Sequence, residues 1–294
     1  MGGSRYSYSS RSAKADSLGY ATKSMNDTFE QNRLRKIHAE MDPKGVTLRE
    51  SRDSEIHPNS VPIIITLDVT GSMGRIPHNL VKDGLPKIMS GIIQNGIPDP
   101  QVMFFAVGDH ACGDTAPFQI SQFESGDEEL DLWLTRTYIE GGGGGNEGES
   151  YSLAHYFASK FIKTDAWEKR GKKGFLFTIG DECSLTSYPK RIFSEIFGDE
   201  EAKTYSDVEL LEMAKEKWDV YHIVPGQSTK GGHEYWKNLL GQNTIWVDDF
   251  DSVPQAIKDI VVANSDKTEA KYEVDVEPTA ETTTTEANEP KIML

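Results

Sequence analysis

The sequence predicts an α/β fold, doubly wound around a mostly parallel central sheet of about six strands with helices on both faces. Three observations carry this. Apolar runs rich in β-branched and aromatic residues alternate with segments of helical periodicity between about residues 58 and 263. The runs are nearly continuous, as in Val61-Pro62-Ile63-Ile64-Ile65-Thr66-Leu67, which suits strands covered on both faces. Only the connection between 101–107 and 117–123 is too short for a crossover helix, so those two strands should pair as a hairpin.

The elements follow in order. Strands are expected at 61–67, 101–107, 117–123, 173–179, 219–224 and 244–247. Ile76–Ile93 reads as a helix entered through Pro77 and bent near Gly84 and Pro86. Leu130–Thr137 is a short helix. Within 149–163, Leu153, Phe157 and Phe161 recur every four residues, as one face of an amphipathic helix requires. Ser206-x-x-Glu209 is a capping box that opens a helix over 207–217, and a last helix fills 252–262.

Outside this pattern the chain changes character. Residues 1–55 form a polar N-terminal arm of mixed charge, with a weakly patterned helix around Met25–Met41; the arm either packs on the main domain or is mobile. The α/β domain occupies 56–263. Residues 264–294, with the Thr282–Thr285 patch, read as a disordered acidic tail.

Composition narrows the function classes. The chain has 294 residues, 37% of them hydrophobic, and a net charge of −16. That charge argues against binding a nucleic-acid backbone and suits a cation site or basic protein surfaces. Two Cys give no disulfide framework. No apolar run reaches the length of a membrane span, and the polar N-terminus lacks the apolar centre of a signal peptide. Met1-Gly2 resembles the start of a myristoylation signal, but Tyr6 stands where Ser or Thr is required. A cytoplasmic setting, with no membrane and no nucleic acid, is the expectation.

Ligands of such sheets bind beyond the carboxyl ends of the strands, so three loops matter. The first is Asp68-x-Thr70-x-Ser72, one carboxylate and two hydroxyls at alternate positions directly after a strand. The second is Gly141–Gly145 followed by Asn146-Glu147-Gly148-Glu149. The third is Gly180-Asp181-Glu182, after the strand ending at Ile179. Together they offer hard oxygen donors suited to Mg²⁺ or Mn²⁺, not the Cys and His of a soft-metal site. The proposed ligands are Asp68, Thr70, Ser72, Asn146 and Asp181. Asn146-x-x-Glu149 is also a helix cap, and Glu147 and Glu149 read as solvated or capping residues. The five glycines are not a dinucleotide fingerprint, because they do not directly follow a strand. Gly108–Asp114 reads as a hairpin loop beside the site, with Asp109 placed to tune it. His222 lies within a strand and reads as structural.

Residues 58 to 263 resemble the von Willebrand factor type A domain. The first loop matches that family's metal-ion-dependent adhesion site, with Thr70 where Ser is more common. The family's later Asp falls on Asp181. Its middle element is a Thr after a Gly-rich loop, and Asn146 is the match here. The words Arg49-Glu50-Ser51-Arg52-Asp53-Ser54 and Gly144-Gly145-Asn146-Glu147-Gly148-Glu149-Ser150 resemble intracellular bacterial and phage-type members. The resemblance implies binding and not catalysis, with an open coordination position filled by a partner's acidic side chain. Intracellular relatives work beside AAA+ ATPases or in multiprotein assemblies. The expectation is therefore an Mg²⁺-dependent protein-interaction module. Two alternatives stand: an assembly scaffold with a stabilising metal, and a metal-dependent phosphohydrolase. The second wants Asp-x-Asp-x-Thr, and Thr70 stands at its second acid.

Overall fold

Among the described residues ten strands form: β1 Arg49–Ser51, β2 Val61–Asp68, β3 Pro100–Val107, β4 Phe118–Ile120, β5 Ile162–Thr164, β6 Gly174–Ile179, β7 Ser187–Tyr188, β8 Tyr205–Ser206, β9 Trp218–Pro225 and β10 Thr244–Val247. The coordinates are a computed structural model and describe residues 3–71, 73, 75–142, 148–226 and 230–278. Six strands make the central sheet in the order β10-β9-β6-β2-β3-β4. Every pairing is parallel except β3 with β4, which form the expected hairpin with Phe105 opposite Ile120. β1 pairs with β5 and β7 with β8 in two small separate sheets.

The alternation of side chains across the pleat divides the core in two. Ile63, Ile65 and Leu67 face one layer with Phe104 and Phe177, under the helices Leu85–Gln94, Asp127–Thr135 and Val253–Asn264. Ile64 faces the other with Phe105 and Leu176, under Ser152–Lys160, Asp207–Lys215 and Lys230–Leu240. Both faces are covered, which is why β2 and β3 could be apolar at almost every position.

The first crossover breaks where the sequence suggested. Arg75–Asn79 is helical, Leu80–Gly84 is a wide π turn, and Leu85–Gln94 restarts with Pro86 in its first turn. Gly84 permits the break: a Cβ there would lie 2.9 Å from Pro254 Cγ on the neighbouring helix. The capping box at Ser206 and Glu209 forms as expected and opens Asp207–Lys215.

The N-terminal residues differ from expectation in detail. The helix expected around Met25–Met41 is instead two short pieces, Met25–Thr28 and Glu30–Leu34, broken at the buried and extended Phe29. A further helix, Tyr8–Leu18, is capped by Ser7 and by Gly19 in the left-handed region. It carries Arg11, fully enclosed and ion-paired to Asp131 at 3.3 Å. Tyr6, Tyr20, Phe29 and Met41 join the core, so this segment packs on the domain. Part of the acidic tail also lies against it. Tyr272 donates to the Pro98 carbonyl, the Glu277 N–H donates to Ser90 Oγ, and Asp275 bridges to Ser7.

Candidate functional site

Successive connections move in opposite directions from β2: to β3 on one side, then to β6 on the other. This reversal opens a crevice between the carboxyl ends of β2 and β6, where doubly wound sheets take their ligands. Asp68 is the last residue of β2, and Asp181 follows β6 by two positions. The two strands pair up to Leu67 opposite Ile179, which sets both carboxylates at one rim.

Asp68 is fully enclosed. Its Oδ1 accepts from the Thr70 N–H at 2.8 Å and from Thr70 Oγ1 at 2.5 Å, and its Oδ2 accepts from the Tyr151 hydroxyl at 2.5 Å. Burial pushes the carboxyl up to about 6; the three hydrogen bonds oppose that rise and Asp181 adds to it. Tyr151 is equally enclosed, with its ring edge-on to His222 and Trp236. Burial first, then the adjacent Asp68, hold its phenol far above the ordinary range. Gly180 is required here. A Cβ would fall 1.8 Å from the Tyr151 hydroxyl and 2.9 Å from Asp68 Oδ2.

Backbone hydrogen bonds dock the loops on one another. Gly71 N–H donates to the Gly142 carbonyl and Gly141 N–H to the Val69 carbonyl, so the first loop and the start of the glycine run are joined in both directions. At the far end of that run, Glu149 N–H donates to the Cys183 carbonyl, Leu185 N–H returns to Glu149, and Ser150 N–H donates to Gly108. Residues 148–150 are thus wedged between the loops after β3 and β6. The three loops singled out from the sequence meet at one rim, and the loop after β3 joins them. Ser72 and Asn146 lie outside the described residues, so the ligand roles assigned to them are not placed.

Glu149 gains weight that the sequence did not give it, and Asp109 lies beside the site as expected. Glu149, expected to be solvated or capping, is only 5% exposed, and its Oε2 has no hydrogen-bond partner among the described residues. The helix it was expected to cap begins later, at Ser152, so the Asn146-x-x-Glu149 cap has no role there. Burial and four other carboxylates, Asp68, Asp109, Asp114 and Glu182, push its carboxyl up to about 9. Asp109, two positions beyond β3, is fully buried; its Oδ1 accepts from the Ala111 N–H at 2.7 Å and, among the described residues, its Oδ2 has no hydrogen-bond partner. Tyr151, like the burial of Glu149, was not anticipated from the sequence. His222 is structural as expected: its ring stacks on Trp236 at 3.8 Å and bonds Thr178 Oγ1 at 2.7 Å.

This donor set fits a small hard cation. Among the described residues, no three His, Cys, Asp or Glu side chains close around one point as a preformed metal cluster. Hydroxyl donors must therefore complete any ion site, which is the chemistry the Asp68-x-Thr70-x-Ser72 loop offers. Buried carboxylate oxygens without partners are what a cation would satisfy.

No protein-family model and no curated protein matches the chain. Solved structures similar to it include proximal thread matrix protein 1 from the mussel byssus (TM-score 0.47, 12% identity, 69% of this chain and 48% of that one). Another is the pilus adhesin SpaC from Lactobacillus rhamnosus GG (0.47, 11%, 74% and 31%). A third is a von Willebrand factor type A structure from Catenulispora acidiphila (0.42, 9%, 69% and 42%). The mussel protein has also been solved with zinc in its adhesion-site motif (0.44, 12%, 72% and 49%). The chain spans less than half the length of each of these structures. The likeness is one of architecture, a mostly parallel sheet wound on both faces.

Proposed function

We propose that the rim binds a divalent cation, Mg²⁺ or Mn²⁺, and presents it to an acidic side chain of another protein. Asp68, Thr70, Ser72 and Asp181 would hold the ion, with Asn146 the donor from the glycine-rich loop. The observation that carries the reading is the state of Asp68. It is a buried carboxylate at the reversal point of the sheet, oriented by Thr70 and Tyr151 and facing further acids instead of a base. A bound cation supplies the opposite charge that this group of acids calls for. Hydroxyl ligands are neutral, so an ion held partly by them keeps net positive charge and attracts a further carboxylate. The partner is thus a protein with an accessible Asp or Glu, in the setting of an AAA+ ATPase or a multiprotein assembly.

Calorimetric titration of Mg²⁺ and Mn²⁺ into the wild type and Asp68→Ala tests the ion. Capture of partners with and without chelator, followed by identification of what the chelator elutes, tests the interaction. Saturable binding lost in Asp68→Ala, with chelator-sensitive capture, is the expected result. Equal capture in both conditions would overturn the adhesive role and leave the metal as a stabiliser of a scaffold.

A further inference from the structure

We infer that a cleft between the N-terminal segment and the helix Asp127–Thr135 is a second docking site, which takes an acidic peptide segment of another protein without any metal. None of Asp68, Thr70 and Asp181 lines it, and it does not depend on the cation reading above. Its walls are the short helices Met25–Thr28 and Glu30–Leu34, the stretch from Lys36 to Ala39, and the part of Asp127–Thr135 that carries Leu132. The cleft measures about 830 Å³ and is open to solvent. Its walls are held in place. Tyr20 donates to Asp131 at 3.0 Å, Asn32 Oδ1 accepts from the Ile139 N–H at 2.9 Å, and Arg136 is ion-paired to Glu40. Between Leu34 and Lys36 the chain turns at Arg35, whose φ is 51°. That is the left-handed region, and no other non-glycine among the described residues adopts it. The turn sets Leu34 and Lys36 on the same cleft.

The charge of these walls runs against that of the chain. The protein carries a net charge of −16. Yet Lys23, Arg33, Lys36 and Arg136 line this cleft against two acids, Asp27 and Glu30. Arg33 is paired with Asp27 at 3.0 Å on the surface, and Arg136 with Glu40. Lys23 and Lys36 have no carboxylate within ion-pair distance among the described residues. Cations gathered in a concave surface attract carboxylates and guide their approach. The same walls carry two large apolar side chains left in solvent, Leu34 at 51% and Leu132 at 43% exposed. Apolar surface rimmed by charge marks a protein contact.

The matching occupant is a segment in which Asp or Glu flanks a Leu-like residue. Its acids answer Lys23 and Lys36, and its apolar side chain covers Leu34 and Leu132. A nucleic-acid strand would meet the same cations, but it would be repelled by the rest of this acidic chain and has no use for the two leucines.

The test is fluorescence anisotropy of a labelled dodecapeptide of repeated Asp-Glu-Leu with the full chain, in chelator so that the cation rim contributes nothing. Saturable binding is expected, and it should weaken at least about fivefold from about 50 to about 200 mM salt. Lys23→Glu combined with Lys36→Glu should weaken it at least about tenfold. Lys190→Glu combined with Lys237→Glu, which changes the net charge equally outside the cleft, should stay within about twofold. Leu34→Ser should cost about threefold. A peptide of repeated Asn-Gln-Leu should not bind. No binding in chelator, equal binding of the neutral peptide, or wild-type affinity in the Lys23 and Lys36 double variant would overturn the inference and leave the cation reading untouched. Should that double variant melt below the wild type, the salt dependence and the neutral peptide decide. Tighter binding of a single-stranded oligonucleotide of equal length would give the cleft to nucleic acid. Self-association lost in the double variant would give it to a second copy of this chain. Either result overturns the inference as well.

Discussion

The Tyr151 hydroxyl donates to Asp68 Oδ2 at 2.5 Å, so the carboxylate at the end of β2 is oriented by a residue from a different loop. Tyr151→Phe removes the donor and leaves a buried carboxylate oxygen short of a partner. The expected cost is about 1–3 kcal/mol of metal-free stability, with weaker Mg²⁺ binding. Thermal melting and calorimetry with and without Mg²⁺ measure both. An unchanged melting temperature would mean that Asp68 is held by Thr70 alone.

Gly180 lies where β6 passes the Tyr151 ring, and there is no room for a Cβ. Gly180→Ala should displace Tyr151 or the β6 loop, because a Cβ would meet Tyr151 Cζ at 2.6 Å. Overpacking of this kind costs about 1–3 kcal/mol. Cation affinity should fall with it, since the same shift moves the loop carrying Asp181. Retention of wild-type affinity would show that the loop relaxes without disturbing the rim.

His155 gives a pH dependence of definite sign. It is enclosed in the helix Ser152–Lys160, neither ring nitrogen has a hydrogen-bond partner among the described residues, and burial, aided by Lys215, holds its pKa down at about 3. Above the unfolded value of about 6.5 both states are neutral and the residue contributes no slope. Below it the unfolded chain takes up a proton that the native chain refuses, so stability falls as pH falls from 6.5 toward 3. The slope contributed is about 1.4 kcal/mol per pH unit. His222, also buried and depressed, acts in the same direction. Urea denaturation of wild type and His155→Leu at pH 7.5 and 5.5 isolates the term, and the variant should lose less stability on acidification.

Arg11 anchors the N-terminal helix. It sits enclosed against Asp131 and donates to the Val81 carbonyl in the π turn. Arg11→Ala leaves Asp131, among the described residues, with Lys14 at 3.0 Å as its remaining cation. Breaking a buried pair from one side costs about 3–5 kcal/mol. Limited proteolysis should cut the variant within residues 3–40 sooner than the wild type. An unchanged cleavage pattern would show that the aromatic contacts of Tyr6, Tyr20 and Phe29 hold the segment unaided.

The sheet was legible because its signals are local. Ile63–Ile65 is a continuous β-branched run, and the 101–123 connection admits only a hairpin. The rim was legible for the same reason, since a strand end followed by Asp-x-Thr-x-Ser needs no distant partner to be recognised. Glu149 was misread because Glu among glycines looks solvated in one dimension. Its place is set by its own backbone bonds to Cys183 and Leu185 and by the bond of Ser150 to Gly108, all far away in sequence. Tyr151 looked like one more aromatic on a helix until β6 brought Gly180 beneath it. The helix Tyr8–Leu18 has a polar inner face whose single enclosed residue is Arg11, so no apolar period announces it. Asp275 likewise gave no sign of pairing with Ser7, because the contact spans 268 positions.

That last contact has a practical side. Ser4 meets His57 just before β2, Tyr272 meets Pro98 just before β3, and Asp275 clasps Ser7. Residues 4–7 and 272–275 therefore lie together, at the pole of the sheet away from Asp68. A protein tethered to a bead or a sensor chip by a tag joined beside either segment would hold its acidic rim outward, free for capture experiments.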